Sequence, residues 1–235
     1  MVTPPLTSGL VLALDASGGD GTLALLRDGT CVADATVVMR GTREETFLPA
    51  LLALLEGAGA RLADVRALIV GAGPGSFTAL RVIGATAKGI AEGTGCPLYA
   101  APSLGLLVAA DNRTHRAGRW FATLDALRGD RYAALVVTGA DGAVGAVDSL
   151  GLVPASEVMA RAAALGATPI GPDEALAAMP HARGAARALA MVRATGPVDL
   201  ATWEPGYGRL AEAQVKWEAA HGRALTAPAP GAPSA

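Results

Sequence analysis

The sequence predicts an α/β protein in which one order of strands and helices occurs twice. The first copy begins with three short apolar runs separated by glycine-containing turns, which is the pattern of an antiparallel meander. Strands and helices then alternate, because the hydrophobic period changes between two residues and three to four residues. A second meander follows a short linker at 112–118, and this recurrence is the reason to expect a duplication.

Each element of the first half has a local signal. Turn residues at 17–21 and at Asp28-Gly29 separate the first three strands. The apolar residues of the following segment then recur at helical spacing, at Phe47, Leu48, Leu51, Leu52 and Leu55, and Pro49 is tolerable because it lies near the first turn of that helix. In order, we predict strands at 10–14, 22–26 and 31–38, a helix at 44–56, a strand at 65–70, a helix at 78–92, a strand at 97–101 and a helix at 103–110.

The second half repeats this order in a reduced form. Arg128-Gly129-Asp130 and Asp141-Gly142 mark the turns of its meander. We predict strands at 120–124, 132–137 and 143–147, a helix at 156–165, a strand at 168–170 and a helix at 185–194. The predicted domains are therefore 1–110 and 111–205, followed by a carboxy-terminal helix within 206–225 that packs back on the first domain, and a disordered tail at 226–235.

Composition excludes several classes of function. The 235 residues carry a net charge of -2, which gives no long-range attraction for nucleic acid, so any RNA contact is expected to come mainly from a partner. Two cysteines are too few for a disulfide framework and have no partners at metal-ligand spacing. The amino terminus lacks the basic region of a signal peptide, and no apolar stretch approaches a membrane span. We expect a cytoplasmic protein that has no contact with membranes.

The glycine-rich stretch IVGAGPGSFT at 69–78 lies between a predicted strand and a predicted helix. It has neither the spacing of a P-loop nor that of the dinucleotide fingerprint, because Ser76 stands where a third glycine would be needed. Free N–H groups at such a turn could accept an anion. Alternatively, the glycines allow unusual backbone angles and close packing. Both interpretations stay open from the residues alone.

The helix after this turn has a face of small residues, with Ala85, Gly89 and Gly93 at four-residue spacing. Such a face allows another helix or sheet to approach closely. The protein's own sheet accounts for at least one side, and an external partner could cover the other.

No catalytic constellation emerges from the sequence. The three histidines are isolated, no Gly-x-Ser-x-Gly motif occurs, and no histidine neighbours either cysteine in the sequence. Asp125 and Asp130 flank Arg128, which ordinary turn chemistry explains. The turn at 15–19 occupies the place where actin-like and sugar-kinase-like ATPases hold phosphate, although a surface turn is the simpler interpretation. We therefore predict no catalytic residue, no metal site and no cofactor.

Several segments together resemble the bacterial TsaB family, also called YeaZ. The most specific is GPGSFTALRV at 73–82, continuing to ATAKGIA at 85–91. LALDAS at 12–17 resembles the opening strand of the family, FLP at 47–49 its first helix, LDALRGDRYAA at 124–134 its second-domain hairpin, and EPGY at 204–207 the entry to its last helix.

The resemblance implies a duplicated actin-like fold of the ASKHA, ribonuclease H-like type, with two domains and mixed five-stranded sheets. It also implies a non-catalytic scaffold subunit that pairs with the catalytic paralogue TsaD in forming threonylcarbamoyladenosine beside the tRNA anticodon. The small ATPase TsaE joins this pair, tRNA is contacted through the complex, and ATP and metal belong to partner subunits. The chain could also form a homodimer when it is alone.

The family's dimer surface is formed by its first two helices. Carried over to this sequence, the expected partner interface is Phe47, Leu51, Gly75, Ser76, Phe77, Thr78, Arg81, Ala85 and Gly89. Asp15 and Ser17 would be a vestigial phosphate hairpin. The chain departs from the family pattern at Ala79, Ile83 and Gly84, which would rotate the small-residue face of the second helix, and at Ala16, where the missing hydroxyl argues against phosphate binding.

Two alternatives belong to other classes of function. An actin-like ATP-dependent kinase or transferase would require nucleotide binding between the two domains, and the acidic metal-binding residues of that class are not recognisable here. A glycoprotein endopeptidase would require a metal or nucleophile that the sequence does not supply.

Overall fold

The computed structural model describes residues 6–39, 41, 46–208 and 220–221. Within these residues the chain forms two five-stranded sheets. The predicted helix at about 210–221 lies outside the described residues except for its last two positions, and the predicted tail at 226–235 lies wholly outside them.

The first sheet is mixed and has the strand order β3-β2-β1-β4-β5. The three meander strands pair antiparallel, whereas β1 pairs with β4, and β4 with β5, in parallel. Its strands are β1 (Leu10–Asp15), β2 (Gly21–Arg27), β3 (Thr30–Val37), β4 (Val65–Gly71) and β5 (Leu98–Ala101), and the helices of this half are α1 (Phe47–Gly57), α2 (Phe77–Thr94) and α3 (Ser103–Ala110).

The second sheet repeats this arrangement with the order β10-β9-β6-β7-β8. Its central strand β6 pairs antiparallel with β7 and parallel with β9, as β1 does with β2 and β4. The elements are β6 (Gly118–Asp125), β7 (Asp130–Thr138), β8 (Val144–Pro154), α4 (Val158–Ala164), β9 (Thr168–Gly171), β10 (Leu176–Ala177) and α5 (Ala185–Thr195). The predicted duplication is confirmed.

Three local predictions need correction. Strand β8 continues to Pro154 instead of ending at 147, because irregular pairing with β7 lets the strand pass Gly151, where φ is 72°. Strand β10 is not predicted from the sequence, because two residues are too few to show a hydrophobic period. The segment predicted as a linker at 112–118 includes a 3-10 helix at Asn112–Thr114, and Thr114 is fully buried there.

Side chains alternate between the two faces of each strand, so the first sheet has an outer and an inner face. Leu12 and Leu14 of β1 pack with α1 and α2 on the outer face. Val11 and Ala13 point into a second cluster that contains α3, α5 and residues of both sheets. Every residue of α3 is buried, so this helix is enclosed between the two halves and α1 and α2 remain on the outside.

The inner cluster joins the two halves, and polar contacts add to it. The N–H of Ala182 donates to Thr22 Oγ1 over 3.0 Å, for example. The segment at 198–206 lies against the first half, where the N–H of Val198 donates to the carbonyl of Leu98 at 2.8 Å. The domain boundaries themselves stay a prediction.

Within the described residues, the helices are all too short or too polar to cross a lipid bilayer.

Candidate functional site

Asp15, at the end of β1, is enclosed by hydrogen-bond donors. The carboxylate is 1% exposed; its Oδ2 accepts from Ser103 Oγ at 2.6 Å, and its Oδ1 accepts from the N–H and Oγ of Ser17 at 2.9 and 2.8 Å. Burial raises the pKa of Asp15, and the donors of Ser103 and Ser17 oppose that rise. A Cβ at Gly71 would overlap this carboxylate. Asp15 therefore fastens the first hairpin to the ends of β4 and α3.

The next two glycines of the turn also admit neighbouring backbone. Gly73 has a φ of 83°, and a Cβ there would collide with the carbonyl oxygen of Gly206. A Cβ at Gly75 would collide with the backbone of Ser17, whose carbonyl accepts from the N–H of Ser76 at 2.9 Å. These contacts support the packing interpretation of the glycine-rich turn, because each glycine permits a close approach that a side chain would block.

The first hairpin turn is contacted from its other side by the second half. A Cβ at Gly18 would lie 2.6 Å from Met179 Cε and 3.6 Å from Pro180 Cδ. The turn that would hold phosphate in an actin-like ATPase therefore packs between the glycine-rich turn and the segment at 179–180. Asp15 and Ser17, the predicted vestigial phosphate hairpin, hydrogen-bond to each other within it.

Helix α2 has a buried side and an open side. It ends at Gly95, which takes the left-handed conformation with φ of 69° and donates its N–H to the carbonyl of Ala91. Ile83, Ala87 and Ile90 pack on the sheet. On the open side, Ala85 and Gly89 are exposed, and a Cβ added at Gly89 would meet no atom within 4 Å.

The expected interface residues at the start of α2 are accessible. Thr78 and Arg81 are exposed, and the Arg81 guanidinium lies 5.5 Å from the centroid of the Phe77 ring. Gly75 and Ser76 are half-buried because they contact Ser17.

The prediction for helix α1 is wrong in its choice of side chains. Phe47 and Leu51 are only 1% and 0% exposed and belong to the outer core of the first half, so neither ring nor methyl groups can reach a partner. Leu48 and Leu52 point outward instead, with 42% and 47% of their surface exposed. Sequence periodicity identified the helix, whereas the residues carried over from the family resemblance lie on its core side.

Helices α1 and α2 lie side by side on one sheet face, because α1 contacts β2 and β3 while α2 contacts β1, β4 and β5. Together they present an apolar surface of small and large side chains. We call this surface the outer helix face and define it as Leu48 and Leu52 of α1 with Phe77, Val82, Ala85 and Gly89 of α2.

A surface groove of about 430 Å³ adjoins the carboxyl end of α1. Its walls are mostly apolar, with one acidic and one basic side chain, and are formed by Leu52, Leu55, Glu56, Gly59, Ala60, Arg61 and Leu62. Since Leu52 belongs to both, the groove is continuous with the outer helix face.

The segment at 203–208, which we call the strap, runs along the flank of α2. Lys88 Nζ donates to the carbonyl of Trp203 at 3.1 Å, and a Cβ at Gly84 would lie 3.0 Å from Pro205. The Tyr207 ring lies 4.5 Å from that of Phe77, centroid to centroid. The absence of a side chain at Gly84 therefore lets the strap of the same chain pack close to α2.

A second cavity, of about 300 Å³, lies between the two halves beside the first hairpin. His181 is buried in its wall, with Nε2 3.3 Å from Asp34 Oδ2 and 3.4 Å from Thr36 Oγ1, while Nδ1 accepts from the N–H of Arg183. Burial and Arg183 lower the pKa of His181, which Asp34 partly opposes. Sequence reasoning missed this cluster because His181 and Thr36 are 145 positions apart.

The geometry of the cluster is not that of a catalytic triad. In a triad the acid and the nucleophile contact opposite nitrogens of the imidazole, so that one orients the ring while the other gives up its proton. Here Asp34 and Thr36 both approach Nε2, and backbone fixes Nδ1. Among the described residues, which are 6–39, 41, 46–208 and 220–221, no three His, Cys, Asp or Glu side chains form a group able to hold a metal ion.

Two sheets of identical strand order around enclosed helices define a duplicated actin-like fold. Known structures share it. A Pseudomonas aeruginosa protein described by its similarity to the peptidase YeaZ has a TM-score of 0.71 and 25% identity, covering 86% of this chain and 100% of its own. YeaZ of the same organism has a TM-score of 0.69 and 26% identity over 85% of this chain and 99% of its own.

Sequence relatives lead to the same family. Residues 41–153 match the family described as TsaD, tRNA N6-adenosine threonylcarbamoyltransferase. The tRNA threonylcarbamoyladenosine biosynthesis protein TsaB of Escherichia coli is 33% identical over 52% of each chain, and that of Bacillus subtilis is 32% identical over 53% of this chain and 54% of its own. The alignments thus span about half the length of these curated relatives. In sequence and in structure the chain is therefore similar to proteins of the TsaB (YeaZ) family.

Proposed function

We propose that this chain is the non-catalytic scaffold subunit of a complex that forms N6-threonylcarbamoyladenosine beside the tRNA anticodon. In this proposal its outer helix face docks a TsaD-like catalytic subunit and holds it in its active arrangement. The observation that carries the proposal is the open apolar side of α1 and α2, where Leu48, Leu52 and Val82 are all more than one third exposed. Clustered exposed apolar side chains of this kind characterise protein interaction sites.

The relatives supply the chemistry of the partner. Proteins named for threonylcarbamoyladenosine biosynthesis are similar to this chain, and residues 41–153 match a family described as a threonylcarbamoyltransferase. A pair of proteins with related folds, one catalytic and one scaffolding, is consistent with both matches. A TsaE-like ATPase, tRNA bound through the complex, and a cytoplasmic setting complete the proposal.

The contacts of the first hairpin turn support a scaffold over a kinase. The turn packs against Gly75 on one side and Met179 on the other, so nucleotide phosphates would have to displace both segments. The His181 cluster likewise supports a structural role, since its Asp34 contact links β3 to the second half. In the proposed complex, ATP and metal ions are bound by the partner subunits.

Co-purification with the TsaD-like protein, followed by threonylcarbamoyl transfer to tRNA with and without this chain, tests the proposal. We expect a stable pair, activity that depends on this chain, and no turnover by the chain alone. A chain that does not bind the TsaD-like protein, or that transfers or hydrolyses a substrate alone, would contradict the scaffold role.

A bulky side chain at Gly89 tests the surface itself. Gly89→Trp adds an indole on the open side of α2, where the new Cβ would meet no atom of the chain within 4 Å, so we expect normal thermal unfolding and partner affinity reduced about a hundredfold or more. Ala190→Trp is the matched control, because Ala190 is also an exposed helical residue but lies on α5. If Gly89→Trp still bound normally, the outer helix face would not be the interface.

A further inference from the structure

The strap links three parts of the molecule that are distant in sequence. The N–H of Gly206 donates to the carbonyl of Ala72 at 2.8 Å, which fixes the strap to the glycine-rich turn. One residue later, the carbonyl of Tyr207 accepts from Tyr132 Oη at 3.2 Å, which fixes it to β7 of the second sheet. The strap is therefore held from both halves at the point where α2 begins.

At this point Tyr207 faces the outer helix face. Its ring lies 4.5 Å from the Phe77 ring, tilted by 48°, in the range of favourable aromatic pairs. Phe77 is stacked in turn by the Arg81 guanidinium, 5.5 Å from its centroid. The proximity of Arg81 also opposes the rise in the pKa of Tyr207 that burial and Glu204 cause.

The first turn of α2 has few other means of fixing its exposed side chains. The cap residue Ser76 makes no side-chain hydrogen bond to the helix N-terminus, and Phe77 keeps 36% of its surface exposed. An exposed aromatic ring without a neighbour would sample several rotamers, and ordering it on binding would reduce affinity. The ring of Tyr207 removes this freedom before any partner arrives.

We infer that Tyr207 is a positioning residue of the outer helix face, which orders Phe77 and Arg81 for docking of the partner subunit. The inference rests on the proposed function. It adds that the docking surface is preorganised by a segment anchored on the second half, through Tyr132. The amino-terminal helices alone therefore do not make the complete interface.

The first test uses the isolated chain and needs no partner. In Tyr207→Leu, amide hydrogen exchange at 77–82 should be faster than in the wild type, whereas exchange in β6 should not change. Tyr207→Phe keeps the ring and should restore the wild-type rates. Equal rates in all three proteins would overturn the ordering role, and faster exchange in β6 as well would reduce Tyr207 to a general stability residue.

The second test measures affinity for the TsaD-like subunit. Tyr207→Leu should weaken binding about three- to tenfold, in line with the contribution of an aromatic pair, and Tyr207→Phe should bind as the wild type does. Tyr132→Phe, which removes the hydroxyl donor to the strap, should give a smaller loss.

A double variant separates positioning from a direct contact. If Tyr207 acts through Phe77, then Phe77→Leu combined with Tyr207→Leu should bind no more weakly than Phe77→Leu alone. Fully additive losses, or wild-type affinity in Tyr207→Leu, would overturn the inference while the proposed function stands. If the wild-type chain fails to bind the partner, the proposed function fails, and the exchange rates alone decide whether Tyr207 orders Phe77.

Discussion

The first hairpin turns of the two halves occupy equivalent places and have different surroundings. Asp15 ends β1 and Asp125 ends β6, and each precedes the turn to the next strand. Asp15 is 1% exposed and accepts from two serines. The Asp125 side chain is 49% exposed and pairs with Arg131 at 2.9 Å. One topology therefore places a buried, hydrogen-bonded carboxylate in one half and a half-exposed, ion-paired carboxylate in the other.

The connections that follow β4 and β9, the parallel neighbours of the central strands, explain the difference. In the first half, the connection from β4 to β5 contains the glycine-rich turn and the long helix α2, and that turn packs on the first hairpin. In the second half, only residues 172–175 connect β9 to β10. The second hairpin turn consequently stays open, with Leu127 69% exposed. The two sheets have equivalent strand orders, whereas the connections between their strands differ. The long connection that contains α2 belongs to the first half, and so does the outer helix face.

The largest difference in stability is expected when a methyl group is added to a glycine near each of the two hairpin turns. Gly75→Ala should reduce the free energy of unfolding by about 3 kcal/mol, because its Cβ meets the Ser17 backbone, which cannot move away cheaply. Gly129→Ala has open space and should cost only about 1 kcal/mol, from its φ of 83°. Urea unfolding of both variants measures the contrast. Equal losses would show that the first turn is no more tightly packed than the second.

The two aspartates at the strand ends give the next contrast. Asp15→Ala leaves the hydroxyls of Ser17 and Ser103 without their acceptor in a buried site, so we expect a loss of about 2 to 3 kcal/mol. Asp125→Ala removes a solvent-screened pair and should cost at most about 1 kcal/mol. Thermal and urea unfolding check both values. An Asp15→Ala loss as small as that of Asp125→Ala would contradict a structural role for the buried carboxylate.

A smaller effect should appear in the pH dependence of stability. The folded pKa of Asp15 is raised above its ordinary value of 3.8, so the folded protein holds this proton more tightly than the unfolded chain does. The resulting stabilisation is complete below that ordinary pKa and is lost as pH rises through the folded pKa. Asn does not titrate, so the stability of Asp15→Asn relative to wild type should improve with rising pH. A difference that is constant or worsens with pH would contradict the raised pKa.

The smallest effect concerns the open turn. Leu127 adopts a left-handed φ of 62° although it is not a glycine, and its exposed side chain has little packing to lose. Leu127→Asn should therefore increase the free energy of unfolding by about 0.5 kcal/mol, since Asn tolerates this conformation. Leu127→Ala keeps the strain and serves as the control. A loss of stability in Leu127→Asn would indicate that the Leu127 side chain makes a stabilising contact.

Much of the fold could be predicted because its signals are local. The helix α3 was predicted at its observed place, Ser103–Ala110, from its apolar run alone. The meanders were recognisable from turn residues between short strands. Strand β10 and the extension of β8 were not, because a two-residue bridge and a strand interrupted by Gly151 depend on the partner strand more than on local pattern.

The candidate site was predicted less completely. The open positions Ala85 and Gly89 were found from their spacing, whereas Phe47 and Leu51 were placed on the wrong side of α1. The helix has leucine at 48, 51, 52, 54 and 55 and alanine at 50 and 53, so apolar residues extend around more than half of its circumference. The sequence alone therefore could not show which side meets the sheet.

The sequence by itself determined the duplicated order of elements, the glycine-rich turn and the resemblance to the TsaB family, because these depend on residue spacing along the chain. Tertiary structure alone decided that Asp15 meets Ser103, that Ser17 meets Gly75, and that Tyr207 meets Phe77. These pairs are separated by many residues, and their contacts form only when the sheets and helices pack. Local propensity carries no information about contacts between residues that are far apart in the sequence. The packing roles of the glycines and of the strap are therefore visible only in the folded chain.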